Sequence, residues 1–370
     1  MPIKILSDLV DVVSEHISNP GTSGFEIFVG LEHYDSGDPV ITRYGSTNNL
    51  ASSVKHFVSG DILVARRNVY LRRAGVVRFE GVTSGDSIVL RVKDKEYSDI
   101  LPFILNTDDF WDYAEQNSDG TMSKRLAPDV LLEYECNIPD NHYQIANKLW
   151  AAYHLKESYK RLLTATDEMV KSQFIEMFGG CANRIKLSSL CSTFVDGDWI
   201  ESKDQSELGV RLIQTGNVGN GFFKDKEDKS RYISEETFDN LHCTEIYPGD
   251  ILVSRLPDPI GRACIIPQGI GRTITAVDCT IIRLKDIILP DYFIAYTMTP
   301  SYAAQINEVT TGTTRRRVSR ANLGNILIPC PSITKQQQFV AIAKQTDKSK
   351  FELRKSIDAI DQVIKSLING

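Results

Sequence analysis

The sequence predicts a mixed α/β protein made of two homologous strand-rich domains, each followed by a long α-helix, with the two helices packing as an antiparallel coiled coil. Three observations predict this. Motifs of the first half return in the same order in the second. Short β-branched runs follow Gly-Asp turn dipeptides in both halves. Two long stretches, 143–178 and 333–369, contain neither Gly nor Pro.

The repeat comes first, because a missed duplication misassigns the whole fold. Phe57-Val58-Ser59-Gly60-Asp61-Ile62-Leu63-Val64-Ala65-Arg66 returns as Ile246-Tyr247-Pro248-Gly249-Asp250-Ile251-Leu252-Val253-Ser254-Arg255, an offset of 189 residues between the aspartates. Lys93-Asp94 matches Lys285-Asp286, and Gly120-Thr121 matches Gly312-Thr313, both at an offset of 192. Ile138-Pro139 matches Ile328-Pro329 at 190, and Ile3-Lys4 matches Ile185-Lys186 at 182. One match could be chance. Five in order at nearly constant spacing mark a duplication.

Gly60-Asp61 and Gly249-Asp250 supply turns before apolar strands. Strands are also expected over Thr83–Val92 and Ala276–Leu284, and helices over Tyr97–Gln116 and Pro290–Glu308. These features place a domain at 1–140 and another at 181–332, followed by helices at 141–180 and 333–370.

Apolar residues in the helical stretches recur at steps of three and four, the seam of a coiled coil. In the first the stripe is Ile145, Leu149, Ala152, Leu155, Tyr159, Leu162, Thr166, Met169 and Gln173. In the second it is Phe339, Ile342, Thr346, Ser349, Leu353, Ile357, Ile360, Ile364 and Leu367. Asn141-x-x-Gln144 and Thr334-x-x-Gln337 have the form of capping boxes. Neither stripe can bury itself, so each helix is expected to cover the other.

Composition narrows the function. No apolar run approaches the roughly 18 residues of a membrane span, and Lys4, Ser7 and Asp8 interrupt the start, so a cytoplasmic protein without membrane partners is expected. The seven cysteines form no C-x-x-C pair, which points to reduced thiols and no metal. There is no P-loop, no dinucleotide-binding glycine motif, no nucleophile elbow, and no Asn-Pro-Pro-aromatic motif of an amino-methyltransferase. No catalytic residue is nominated.

The net charge of −6 does not advertise a polyanion as partner, but only one face need meet it. Arg66, Arg67, Arg72 and Arg73 crowd the end of one predicted strand, and Arg255 ends its repeat partner. Lys124 and Arg125 follow the first Gly-Thr pair, and Arg315, Arg316, Arg317 and Arg320 follow the second. Two diverged readers related by approximate two-fold symmetry would suit two different half-sites on duplex DNA, with the helices setting the gap between them. A two-domain scaffold for other partners satisfies the repeat equally.

The Gly-Asp-Ile-Leu-Val strand, the basic Gly-Thr segment and Ile328-Pro329-Cys330-Pro331 followed by Gln336-Gln337-Gln338 resemble one family over essentially the whole chain. It is the specificity (S) subunit of type I restriction–modification systems. Gln336 stands where that family's Leu-Pro-Pro-Leu-x-Glu-Gln motif usually has Glu, and Ile138-Pro139-Asp140-Asn141 departs further. The resemblance implies a non-catalytic subunit that reads a bipartite, asymmetric sequence in double-stranded DNA and serves DNA methylation and phage defence. It implies two methyltransferase (M) subunits that carry S-adenosylmethionine and methylate adenine N6. Two restriction (R) subunits that use ATP and Mg can join. The chain itself is expected to hold no cofactor.

On that reading the basic Gly-Thr loops contact phosphates, with Arg66, Arg67 and Arg255 beside them. Base contacts fall to loop residues that differ between the copies: Gln214, Asn217 and Arg272 in the second, Arg72 and Arg73 in the first. The alternatives are a structural adaptor assembling a non-DNA complex through its helices, and the S subunit of a related type II restriction system.

Overall fold

The structure, a computed structural model, describes residues 3–22, 24–48, 50, 52–120 and 123–369. It divides into two units, residues 1–160 with 354–370, and residues 161–353. A 37-residue helix, His142–Phe178, contributes its first part to the first unit and its second part to the second. The C-terminal helix, Ile333–Asn369, is also 37 residues long and is divided the opposite way.

In the first unit the Gly-Asp motif opens strand Ile62–Ala65, all four residues of which are buried. It lies inside a five-stranded sheet, flanked by Ser87–Val92 and Ala74–Val77, with Val10–Val13 and Val40–Ile41 outermost. Alternate side chains enter different cores. Ile62 and Val64 join Val76, Ile88 and Leu90 against the helices, whereas Leu63 and Ala65 join Val29, Phe57, Val77 and Val89. A strand covered on both faces reads as a continuous apolar run. A second five-stranded sheet holds His16–Ile17, Val54–Phe57, Gly81–Thr83, Ile27–Val29 and Gly45–Ser46 in that order.

The second unit repeats the plan with four-stranded sheets. Ile251–Ser254 is flanked by Cys279–Leu284 and Ala263–Ile265, with Cys191–Asp196 at the edge. Ile251 and Val253 face the helical core; Leu252 packs with Ile213, Cys264 and Ile281. In both units a short strand of the chain start pairs antiparallel with the strand before the long helix: Ile3–Ile5 with Glu135–Asn137, and Arg184–Lys186 with Leu327–Pro329.

The expected strand Thr83–Val92 divides into Gly81–Thr83 and Ser87–Val92, and Ala276–Leu284 gives way to Thr273–Thr275 and Cys279–Leu284. The expected helices are also divided, into Leu101–Ile104 and Asp108–Gln116, and into Pro290–Thr297 and Pro300–Val309. Thr107 and Thr299 begin the second helix of each pair, their hydroxyls accepting from the N–H of Phe110 and Tyr302. Asn141 directly precedes its helix, as expected. Thr334 lies inside its helix, which begins one residue earlier.

Within the first unit Leu149 and Tyr153 share a core with Ile364, Leu367 and Ile368, and Lys156 Nζ sits 2.5 Å from Asp361 Oδ1. Within the second, Phe174 meets Phe339 edge-on at 5.2 Å, and Lys350 Nζ donates to Asp167 Oδ1 at 3.0 Å. In each unit the residue numbers run in opposite directions along the two segments, so they pack antiparallel. The buried stripe is displaced from the expected one: Ala146, Leu149, Tyr153, Phe174 and Phe178 are buried, and Leu155, Leu162 and Met169 are exposed. No helix among the described residues is long and apolar enough to cross a membrane.

Candidate nucleic-acid interface

The Gly-Asp turn fixes the start of the central strand in both units by the same device. Gly60 and Gly249 hold φ of 98° and 94°, a region that glycine enters without a Cβ clash. The following carboxylate accepts a backbone N–H three residues back, Val58 to Asp61 and Tyr247 to Asp250, each at 2.9 Å. Arg91 then grips Asp61 through Nε and Nη2 at 2.8 and 2.7 Å, and Arg283 grips Asp250 at 2.7 Å through both. Such a two-point guanidinium contact satisfies a buried carboxylate and orients it. The side-chain knot is therefore duplicated along with the backbone.

At the other end of the same strand stands the basic cluster. Arg66 N–H donates to Asp86 O, and Arg255 N–H to Asp278 O, both at 2.9 Å. The Gly-Thr segments close as small antiparallel loops, Asp119 bridging Arg125 and Thr311 bridging Arg317. Gly120 and Gly312 take φ of 103° and 98° there. Leu126 N–H donates to Arg66 O at 2.8 Å and Val318 N–H to Arg255 O at 3.2 Å, so each loop is tied to the strand end. Thr121 of the first Gly-Thr pair lies outside the described residues.

In the first unit these ties gather Arg66, Arg67, Arg72, Arg73, Lys124 and Arg125. Arg67 Nε donates to Ser123 Oγ at 3.0 Å, and Asn68 N–H to Lys124 O at 2.9 Å. Arg73 reaches the carbonyls of Leu31 and Arg67, and burial lowers its pKa from the ordinary arginine value. Arg72 is held by Asp108 and by Asp112, the latter at 3.3 Å. Lys124 Nζ donates to Glu115 O. Arg67 and Arg125 converge on one carboxylate, Asp86, at 3.6 and 3.1 Å.

In the second unit Arg255 is buried, donating to Val277 O at 2.5 Å and lying 3.4 Å from Asp196. It forms the floor of an open cleft of about 650 Å³ lined also by Asp196, Arg317, Ser319 and Arg320. Arg316 and Arg320 each have an acid only at 3.9 Å, Asp258 and Asp196. Arg315 and Arg317 are exposed and their side chains have no ion-pair or hydrogen-bond partner among the described residues.

The remaining sequence-nominated residues lie apart from this cluster. Asn217 is buried with its amide engaged at both ends, accepting from Gln214 N–H and donating to Lys224 O, each at 3.0 Å. Gln214 opens that turn. Arg272 is clamped by Glu235 and by Glu245 at 3.1 Å and lies 4.1 Å over the Phe238 ring, and the bond to Glu245 raises its pKa. The turn is linked toward the strand end by Arg262, whose Nη2 donates to Thr215 O at 3.4 Å and Ser254 Oγ at 3.3 Å. Sequence reasoning missed Arg262 and Asp86. The one available signal was that Asp86 and Asp278 stand 192 residues apart, in step with the repeat.

All seven cysteines are free, and no group of His, Cys, Asp and Glu among the described residues could hold a metal ion. Burial pushes the thiols of Cys136, Cys191, Cys264 and Cys279 up to about 12, so they remain protonated and inert.

Residues 184–362 match the family model described as type I restriction modification DNA specificity domain. A chain from a study of complex assembly and conformational transition of the type I R-M system superposes with a TM-score of 0.60 at 16% identity. The match covers 100% of this chain and 96% of that one. The type I S subunit from M. genitalium superposes with a TM-score of 0.55 at 14% identity, covering 99% and 94%. At such identities these likenesses speak to fold. No curated protein sequence matches the chain. The repeated knots and basic loops show that the first unit is built like the second, which carries the family match. Residues 184–362 thus carry the type I restriction modification DNA specificity domain, and the whole chain shares the fold of the M. genitalium S subunit and of the type I R-M chain on which it superposes.

Proposed function

We propose that this chain reads a bipartite, asymmetric site in double-stranded DNA, one half through each basic face. The observation that carries the reading is the duplicated basic loop, Lys124-Arg125 and Arg316-Arg317, tied in both units to the end of the same central strand. Cations on a rigid, repeated support suit phosphate contacts, which fix register on the duplex. Arg66 and Arg255 hold the loops. On this reading Arg67, Arg125, Arg315, Arg316, Arg317 and Arg320 are assigned to the DNA backbone, and Gln214, Arg72 and Arg73 to base contacts. Asn217 shapes its turn, and Arg272 contributes once its glutamates are displaced.

The target recognition domains on this reading are residues 1–140 and 181–332, with spacer helices at 141–180 and 333–370. The partners on this reading are two methyltransferase subunits, which bring S-adenosylmethionine; two restriction subunits, which bring ATP and Mg, can join them. The M subunit would take the target adenine out of the stack; the present chain supplies sequence and register.

The test is a single-molecule methylome of cells carrying the cognate methyltransferase, with and without this chain. An N6-methyladenine mark on a split, asymmetric motif that depends on the chain is expected. Unchanged methylation, with both proteins expressed and associated, would overturn the reading. In the purified complex, Arg316→Ala with Arg317→Ala should weaken binding to every duplex and flatten the slope of log affinity against log salt by about 2. Loss of one sequence preference at constant slope would instead make the pair base readers.

A further inference from the structure

The two basic faces share a backbone but differ in how their charges are held. In the first unit Asp86 lies between Arg67 and Arg125, its side chain only 24% exposed against 46% and 52% for theirs. Arg72 beside them is held by Asp108 and Asp112. Every arginine of that face that reaches solvent by more than a third therefore has a carboxylate on it. In the second unit the repeat counterpart of Asp86 is Asp278, whose carbonyl accepts from Arg255 as that of Asp86 does from Arg66. Among the described residues its carboxylate pairs with no arginine. Asp196 takes over part of the duty, at 3.4 Å from buried Arg255 and 3.9 Å from Arg320. Arg315 and Arg317 are left bare.

Resting on the DNA-reading function proposed above, we infer that Asp86 is a specificity-determining residue that withholds Arg67 and Arg125 from indiscriminate phosphate contact. A guanidinium already paired with a carboxylate gains little by exchanging it for a phosphate, because one anion replaces another and fewer counterions leave the DNA for each arginine engaged. The first face therefore adds little to non-specific binding and engages firmly only where a half-site supplies base contacts as well. The second face, with Arg315 and Arg317 free, does most of the non-specific binding and engages the duplex first. Asp86 is fixed for this task. Its N–H donates to Ser84 Oγ at 3.1 Å and its carbonyl is held by Arg66, so the carboxylate stays in place when the arginines move.

The experiment uses the full chain assembled with its methyltransferase subunits and compares wild type, Asp86→Asn, Asp278→Asn and Arg316→Ala/Arg317→Ala. Binding is measured between 50 and 200 mM salt to a duplex lacking the motif and to the methylome-defined target. Asparagine is isosteric with aspartate, and a thermal melt of each variant separates misfolding from loss of charge. Asp86→Asn should tighten binding to the motif-free duplex about tenfold at the lowest salt and steepen the log–log slope by about 1 to 2. It should lower discrimination at the half-site read by the first unit alone, and Asp278→Asn should do neither. Adding Arg67→Ala and Arg125→Ala to the Asp86→Asn chain should abolish the gain, which a general effect of charge would not. If Asp86→Asn folds and the slope stays at the wild-type value, or if the gain survives removal of both arginines, the role of Asp86 is overturned while the DNA-reading function stands. If wild type binds neither duplex and Arg316→Ala/Arg317→Ala changes nothing, that function falls, and the role of Asp86 with it.

Discussion

Gln336 shows how much one side chain can decide. It is fully buried, its Oε1 accepts from Leu289 N–H at 2.9 Å, and its Nε2 donates to the carbonyls of Ile287 and Pro331 at 3.0 and 2.9 Å. The amide joins the turn before Pro290–Thr297 to the start of the C-terminal helix. A glutamate, which the motif resemblance leads one to expect at this place, would keep the first bond and face two carbonyls with no proton to offer. Gln336→Glu should therefore destabilise the chain by about 3 kcal/mol at neutral pH, since an unmet buried acceptor costs ~1–3 kcal/mol and the charge adds to it. Part of the loss should return at acid pH, where the carboxyl is protonated and can donate. Denaturant unfolding at two pH values checks both statements. Counted from the Ile-Pro pairs, 190 residues apart, the repeat position in the first copy is Ala146, which is buried and has no side-chain amide to make such a clamp. There Trp150 donates to Asp99 O at 2.9 Å and His142 stacks on Tyr97 at 5.2 Å, a different solution at the same junction.

At the level of elements, the long helices tell which residues hold them. Phe174 is buried among Phe178, Tyr292 and Phe339, with ring centroids 5.0 to 5.2 Å away, whereas Leu162 is half exposed. Phe174→Ala should cost about 3–5 kcal/mol and Leu162→Ala less than about 1 kcal/mol, although both lay on or beside the stripe expected from sequence. Urea midpoints of the two variants decide it; equal losses would put the seam back on Leu162. The displacement has a physical reason. Lys156 and Asp167 face the neighbouring segment through ion pairs with Asp361 and Lys350, so the buried stripe passes through charges that a search for apolar periodicity steps around. The strands were more legible, because Ile62–Ala65 and Ile251–Ser254 are covered on both faces and leave an unbroken apolar run. The breaks at Thr107 and Thr299 could have been read from their capping side chains. The pairing of Asp86 with Arg67 and Arg125 could not, since only the fold brings them together.

For the whole molecule the proposed function raises the question of how a chain of net charge −6 would face a polyanion. Its acids are not spread at random over the basic faces: Asp61 and Asp250 are buried under Arg91 and Arg283 at the far end of the central strands, and the second face keeps two arginines without any. Association with DNA depends on the cations that meet phosphates and release counterions, and distant charges are screened within about 10 Å at ordinary ionic strength. Two variants of equal net charge separate these effects. Replacing Arg315, Arg316 and Arg317 by alanine, or replacing the exposed Lys95, Lys348 and Lys355, removes the same number of positive charges from the chain. The arginine variant should lower the salt slope by about 2 to 3 and weaken binding at least tenfold at low salt. The lysine variant should leave the slope unchanged and alter affinity less than about twofold. Parallel losses in the two would mean that the field of the whole protein, and not the repeated loop, governs its hold on DNA.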